Sequence, residues 1–541
     1  MKLHLFSAVS AIALASLSMP AAAQHQHMPG MTMPAKPKPA VKKKPTPAKK
    51  KVVKKAVVKK APAKPATTRK ANVGASAASK PPAAPAEVPV DHSTMDHGPT
   101  APTALPPPPA TSPPTPPVDH SQMDHSQMGH QPTAEPMAQG EHGGHGAMTG
   151  AMGPYPMERE SSGTAWQPDA SDHSGLMGQA GDWTLMGHGV LNLVYDHQGG
   201  RRGDDKAFAS GMLMGMARRP IGDGTLQFKA MVSPDPLMGK SGYPLLLASG
   251  ETANGRDRLI DRQHPHDFFM ELSASASHNI GARSSLFVYA GLPGAPAFGP
   301  PAFMHREAIL DSPEAPISHH WLDSTHISFG VLTGGIVLDK VKLEFSRFNG
   351  REPDERRWNI ETAPLDSTAL RLSWNPNANL ALQASWGHFV DPEQLEPGVD
   401  QKRLSASLLY AREVAPGWKA SGTLSWGRKI VEGHRDDAFV AEAGLKHRGW
   451  TLFGRAEMTE NRELLDLGHD EDGGEEDGHE ARAYRVGKAS IGVLRDFRIA
   501  PHVTLGAGGL VSLNFIPRGL AAEYGGRNPA GAMAFVRLKL D

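Results

Sequence analysis

From residue 182 to residue 541 apolar and polar positions alternate with a period of two rather than 3.6. That period belongs to strands with one face in apolar surroundings and the other toward a polar interior. Trp183, Leu185, Leu191, Leu193 and Tyr195 share one parity; Thr184, Met186, His188, Asn192 and Asp196 share the other. Leu370, Leu372 and Trp374 alternate with Arg371 and Ser373, and Trp418, Ala420, Leu424 and Trp426 with Lys419, Ser421, Thr423 and Ser425. The pattern predicts strands at 183–196, 206–219, 223–233, 266–280, 283–291, 323–338, 340–349, 366–375, 378–390, 401–414, 418–429, 436–447, 450–460, 483–498, 501–514 and 530–541. A soluble sandwich also alternates, so the connections decide. Tight turns such as RPIGDG, IGAR, LDK, NPNAN and HRG alternate with long connections such as 234–265, 292–322 and 461–482. The expected fold is therefore all-β: a transmembrane antiparallel β-barrel of about sixteen strands (14–18) over residues 181–541, with short turns and both termini on the periplasmic side.

The preceding chain reads differently. Residues 1–23 have the form of a signal peptide: Lys2, a short apolar run, then Ala21-Ala22-Ala23 before Gln24. Residues 24–90 hold a small His/Met cluster and a Lys/Ala/Pro spacer; 36–80 contain sixteen Lys or Arg and no Asp or Glu, leaving 41 basic against 56 acidic groups elsewhere. Residues 91–180 are rich in His, Met and Pro. Neither segment has the apolar content to fold alone, so both are expected to be disordered. Export argues against nucleic acid as the partner of the lysine run.

The chain has no cysteine, which excludes disulfide scaffolds, thiolate metal sites and Cys nucleophiles. HExxH and serine-elbow patterns are absent as well, and an enzyme is not expected. Histidine and methionine carry the chemistry instead. DHSTMDHG at Asp91–Gly98 returns as DHSQMDHSQMGH at Asp119–His130, followed by the looser EHGGHGAMTGAM from Glu141. His92, Met95, His97, His120, Met123, His125, Met128, His130, His142 and His145 thus pair imidazole with thioether at short spacing. Thioether with imidazole and no thiolate suits Cu(I) or Ag(I), and His with Asp suits Cu(II). The plainer alternative is compositional drift in a solvated tail.

Within the barrel, Met212, Met214 and Met216 share the parity of Ser210 and Arg218, and Met186 and His188 lie on the polar parity of the preceding strand. This predicts an inward ladder of thioethers, against the alternative that methionine is flexible packing material. LIDRQHPHDFFME places His264 and His266 one residue apart in extended chain, where they would point the same way and share a metal with Asp267 or Glu271. A second cluster runs Met304-His305-Arg306-Glu307, then His319, His320, Asp323 and His326; both clusters read either as a metal-handling mouth or as a buried hydrogen-bond network that folds the loop inward. The loop Gly468–Glu480 has seven acidic residues, a candidate cation collector or simply a solvated loop.

An export signal, DHSxMDH-type repeats and a cysteine-free C-terminal barrel together resemble the outer-membrane copper-resistance protein B family. The resemblance is one of architecture and motif style. It implies a protein that binds and sequesters or exports copper or silver at the outer membrane of a Gram-negative bacterium, its N-terminal region in the periplasm. Its partners would be outer-membrane lipid and periplasmic copper carriers or efflux components. The competing expectation is a general porin-like channel for small polar solutes, with an incidental tail.

Overall fold

A computed structural model describes residues 148–172, 175–465 and 482–541. Sixteen strands close into one antiparallel barrel: β2 (Trp183–Gln198), β3 (Asp205–Ile221), β4 (Gly224–Val232), β7 (Phe269–Gly281), β8 (Ser284–Gly291), β9 (Val331–Leu338), β10 (Val341–Phe348), β11 (Ser367–Asn377), β12 (Leu380–Phe389), β13 (Gln401–Ala415), β14 (Trp418–Val431), β15 (His434–His447), β16 (Trp450–Asn461), β17 (Tyr484–Ala500), β18 (Val503–Phe515) and β19 (Ala530–Leu540). Closure is made by β19 on β2, from Gly531 opposite Gln198 to Leu540 opposite Gly189. The start of β2 continues the same edge with β1 (Leu176–Ala180), a five-residue hairpin partner. Closing the sheet leaves no unpaired edge, the condition for spanning a bilayer with strands.

The alternating pattern sorts side chains as its parity requires. Leu193, Tyr195, Val288, Leu424, Ile491 and Val511 are each more than half exposed on the outer wall. Trp183, Trp374, Trp418, Trp450 and Phe497 sit outward near the short-turn ends, while Tyr195, Phe439 and Phe515 do so near the long-loop ends. Leaving a large apolar side chain in water forgoes about 1.5–3 kcal/mol, so this exterior is stable in hydrocarbon bounded by aromatic girdles. It is a membrane-spanning barrel.

The lumen is filled from both ends. At the short-turn end, residues 148–172 run inside the wall as a plug. Ser277 and Ser285 donate to the Ala151 and Met152 carbonyls (2.7 and 2.6 Å), Arg371 donates to Thr164 Oγ1 (2.7 Å), and Asn375 donates to the Gln167 carbonyl (2.8 Å). Residues 148–172 are thus packed and hydrogen-bonded, although their composition is that of a disordered tail. From the other end, two long loops fold inward. The first, 233–268, contains the hairpin β5 (Tyr243–Thr252) and β6 (Arg258–Gln263), with every residue of β5 buried. The second, 292–330, carries a helical turn at His319–Leu322 and a 3-10 turn at Ser324–His326.

Two expected strands are shortened. The strand placed at 323–338 begins at Val331, because Asp323 and His326 turn inward to loop partners instead of joining the wall; the strand placed at 266–280 begins at Phe269. The hairpin β5–β6 was not expected. Its run Leu245-Leu246-Leu247 is buried throughout and so shows no alternation.

Candidate metal centre

The methionine ladder is set by register. Across β2 and β3, Met186 faces Met216, His188 faces Met214 and Val190 faces Met212; across β3 and β4, Met214 faces Met231. Cross-strand neighbours on one face stand about 4.5–5.5 Å apart at Cβ, so these side chains form rows along the inner wall. Met186, Met214, Met216 and Met231 are buried, while Met212 is half-buried. They pack with Met157 of the plug, with Met270 of β7, and with Ile327 and Phe329 of the second inward loop. Met148, Met177, Met212 and Met304 lie against the same cluster. His188, Met212, Met214, Met216 and Met157 line a cavity of about 390 Å³ between plug and loops. The inward assignment of the ladder therefore holds, and Ser210 lines the same cavity. Arg218, at the inner short-turn end, donates to the Thr149 carbonyl of the plug at 2.7 Å.

At the long-loop side of this cavity the two inward loops bring three imidazoles together. The ligand nitrogens of His266, His319 and His326 lie within 4.8 Å of one another, and all three residues are buried. Each Nδ1 is engaged: His266 with Asp235 Oδ2 (2.8 Å), His319 with Asp323 Oδ1 (2.8 Å) and His326 with the Asp323 carbonyl (2.7 Å). Each Nε2 is buried without a hydrogen-bond partner. Burial, reinforced by the neighbouring imidazoles, pushes His326 well below the usual histidine range; burial also lowers His319, against the pull of Asp323. Those two rings are thus neutral at pH 7, with Nε2 lone pairs available.

The framework behind the rings reaches the barrel wall. Arg306 bonds Asp323 and also makes a two-pronged contact with Glu442 of β15 (2.8 and 2.7 Å), which Arg455 of β16 shares at 3.1 Å. Burial would raise the Asp323 carboxyl, but Arg306 and then His319 hold it well below the ordinary carboxylate range. On the other side, Asp235 Oδ1 accepts the Gly211 amide of β3 at 3.3 Å. Gly211 has φ +144°, and a Cβ there would meet the Val190 carbonyl oxygen at 2.0 Å, so only glycine lets the strand pass.

The expected pairing of His264 with His266 is corrected. Their rings are 6.5 Å apart and nearly perpendicular. His264 Nε2 lies 3.2 Å from Glu251 without the angle of a hydrogen bond, and its ring stands beside His320 at 5.6 Å. Asp267 is taken by Arg357 (3.2 Å), and Glu271 by Ser273 and Tyr289 (2.7 and 3.0 Å). His266 instead meets His319 and His326, more than fifty residues away. The sequence signal for them was the spacing of His319, Asp323 and His326, which lets one aspartate orient two imidazoles. His92, Met95, His97, His120, Met123, His125, Met128, His130, His142, His145 and the acidic loop 468–480 lie outside the described residues.

No protein-family model matches the chain, and no curated protein matches it. Solved structures similar to it are outer-membrane proteins. OmpF of Salmonella typhi, solved with daunomycin, is 10% identical over 68% of this chain and 100% of its own, with a TM-score of 0.41. OmpT of Vibrio cholerae is 9% identical over 67% and 100%, at 0.38. The outer membrane channel DcaP of Acinetobacter baumannii is 11% identical over 68% and 100%, at 0.37. At these values nothing of their function transfers to this chain, whose barrel is established by its own closed strand pairing.

Proposed function

We propose that this chain is an outer-membrane barrel that binds copper or silver ions and contributes to metal tolerance by sequestering or exporting them. The observation that carries the reading is the methionine-lined chamber. Thioethers are soft ligands matched to Cu(I) and Ag(I), and an exported, cysteine-free protein has no other soft donor. The plug supports the same reading: it follows directly on the His/Met repeats in sequence and contributes Met157 to the chamber. Copper held by the N-terminal region would therefore be handed to thioethers without leaving the chain. The resemblance of Asp91–Gly98 and Asp119–His130 to copper-resistance protein B repeats fits this division of labour. In this reading periplasmic copper carriers or efflux components would supply the ion.

The experiment is a Cu(I) competition titration of the full-length protein in detergent, with tolerance measured in cells making equal amounts of each variant. Replacing Met186, Met214 and Met216 with Leu should remove part of the Cu(I) uptake and lower tolerance, since Leu keeps the volume and loses the sulfur. Unchanged uptake and tolerance would reduce the ladder to packing.

A second reading, a general channel for small polar solutes, is favoured by the sixteen-strand wall and its charged inner face. In this structure the plug and both loops occupy that lumen. The metal reading therefore expects the intact protein to admit small sugars poorly in liposome swelling, and rapid swelling would favour the channel.

A further inference from the structure

We propose that His266, His319 and His326 form a three-histidine site for a borderline divalent transition ion, Zn²⁺ or Cu²⁺, separate from the soft thioether wall and joining the two inward loops. The argument is one of donors and acceptors. Asp235 Oδ2, Asp323 Oδ1 and the Asp323 carbonyl are acceptors, so each Nδ1 that meets them carries the proton. Each Nε2 is then an acceptor only. One ring nitrogen of each histidine lies within 4.8 Å of those of the other two, and each Nε2 is buried with no donor in reach, so the three acceptors cannot satisfy one another. One water has two protons for three lone pairs; a cation meets all three at once. Three imidazoles from protein with a remaining open position is a recurrent zinc arrangement, and imidazole suits Cu²⁺ equally.

The surroundings are those of a built site. A ligating imidazole is normally held through its other nitrogen by a carboxylate or carbonyl, which fixes tautomer and direction, and here all three rings are so held. Asp235 and Asp323 add negative charge behind the rings without occupying a ligand position. His266 comes from loop 233–268 and lines the chamber, while His319 and His326 come from loop 292–330. An ion between them would tie the loops together and keep one coordination position toward the chamber. His264 and His320 stand outside this set: no ring nitrogen of either joins the three within 4.8 Å, and His320 Nδ1 is held by Glu352 at 2.7 Å.

The inference does not depend on the chamber taking Cu(I), and its test keeps the two apart. Full-length protein in detergent is stripped with chelator and titrated with Zn²⁺ against a competing indicator, beside the H319A/H326A variant and an H278A control at an exposed strand position. The unaltered protein and the control should hold one tight equivalent more than the double variant, over whatever weaker binding the histidine-rich tail contributes. The variant carrying Leu at 186, 214 and 216 should keep that equivalent. Equal numbers of tight equivalents in the unaltered protein and the double variant would overturn the proposal. Should the double variant fail to fold, Co²⁺ added to the unaltered protein gives an independent reading. One equivalent should produce the intense visible bands of a four-coordinate nitrogen-rich site, quenched by one equivalent of Zn²⁺, and weak six-coordinate bands alone would count against it. D323N, which alters a positioning residue rather than a ligand, should weaken Zn²⁺ about 10–100-fold without removing the equivalent.

Discussion

The two largest apolar clusters inside the barrel are made from different side chains. The larger packs the inward hairpin β5–β6 and the second loop against the wall with Leu245, Leu246, Leu247, Phe208, Phe303, Tyr243 and Tyr524; of its 22 buried residues two are methionine. The smaller lies between the plug and strands β2 to β4, and six of its eight buried residues are methionine. Both clusters bind loops to wall, and both face strands of the same alternating kind. If methionine were merely this chain's filler, the two would share it. The contrast argues that the thioethers are placed for their sulfur.

The wall repeats the lesson with charges. Strands β10 to β19 present Lys342, Glu344, Arg371, Glu442, Arg455, Lys488 and Arg537 inward, and these are engaged in ion pairs with each other or with the inward loops: Arg371 with Glu344 (2.9 Å), Arg306 with Glu442 (2.7 Å), and Arg537 with Asp496 (2.7 Å) and Asp311. That side anchors. The β2–β4 side has inward charges as well, Asp196 and Lys229 among them, but sets the thioethers of Met186, Met214 and Met231 and the imidazole of His188 between them.

The contrast can be broken at several places. The largest effect on metal binding should come from replacing Met186, Met214, Met216 and Met231 together with Leu: chamber Cu(I) affinity should fall at least about tenfold, roughly 1.4 kcal/mol or more. Replacing Met238 and Met533 of the other cluster should leave it unchanged, and competition titration of both variants checks the difference. Arg306→Met removes one partner of a buried ion-pair network and should destabilise the folded barrel by about 3–5 kcal/mol, read in urea unfolding. The three-histidine site should go with it, because Asp323 loses its clamp. Leu246→Ala in the loop cluster should cost about 2–5 kcal/mol while Cu(I) affinity stays constant; a fall in affinity would mean that the two clusters are one functional unit. Smallest is Ser285→Ala, which removes a single hydrogen bond, to the Met152 carbonyl of the plug. It should cost about 0.5–1.5 kcal/mol and show as faster proteolysis near Met152.

The barrel was legible because turns punctuate it and parity repeats; all sixteen wall strands lie where alternation placed them, with 323–330 lost to a loop whose side chains turn inward. The ladder was legible for the same reason, since parity and register together put Met214 beside His188. The histidine site was half legible. Adjacency suggested His264 for His266, but their rings stand 6.5 Å apart and nearly perpendicular, and the true partners arrive through a loop whose path no local pattern encodes. The plug was not legible at all. GPYPMERESSGTAWQPDAS has the composition of a solvated tail, and its place is set by Arg371, Asn375 and Ser285 of the wall together with a small cluster in which Met152, Tyr155 and Trp166 pack on Phe287 and Val337.

The central claim is that the β2–β4 wall holds soft metal ions through thioethers. Its most direct test is an anomalous difference map from crystals of the full-length protein loaded with Ag(I). The account predicts a peak inside the barrel among Met186, Met214, Met216 and Met231, absent from crystals of the four-leucine variant. A fully loaded crystal with silver at the surface and none in the chamber would contradict it.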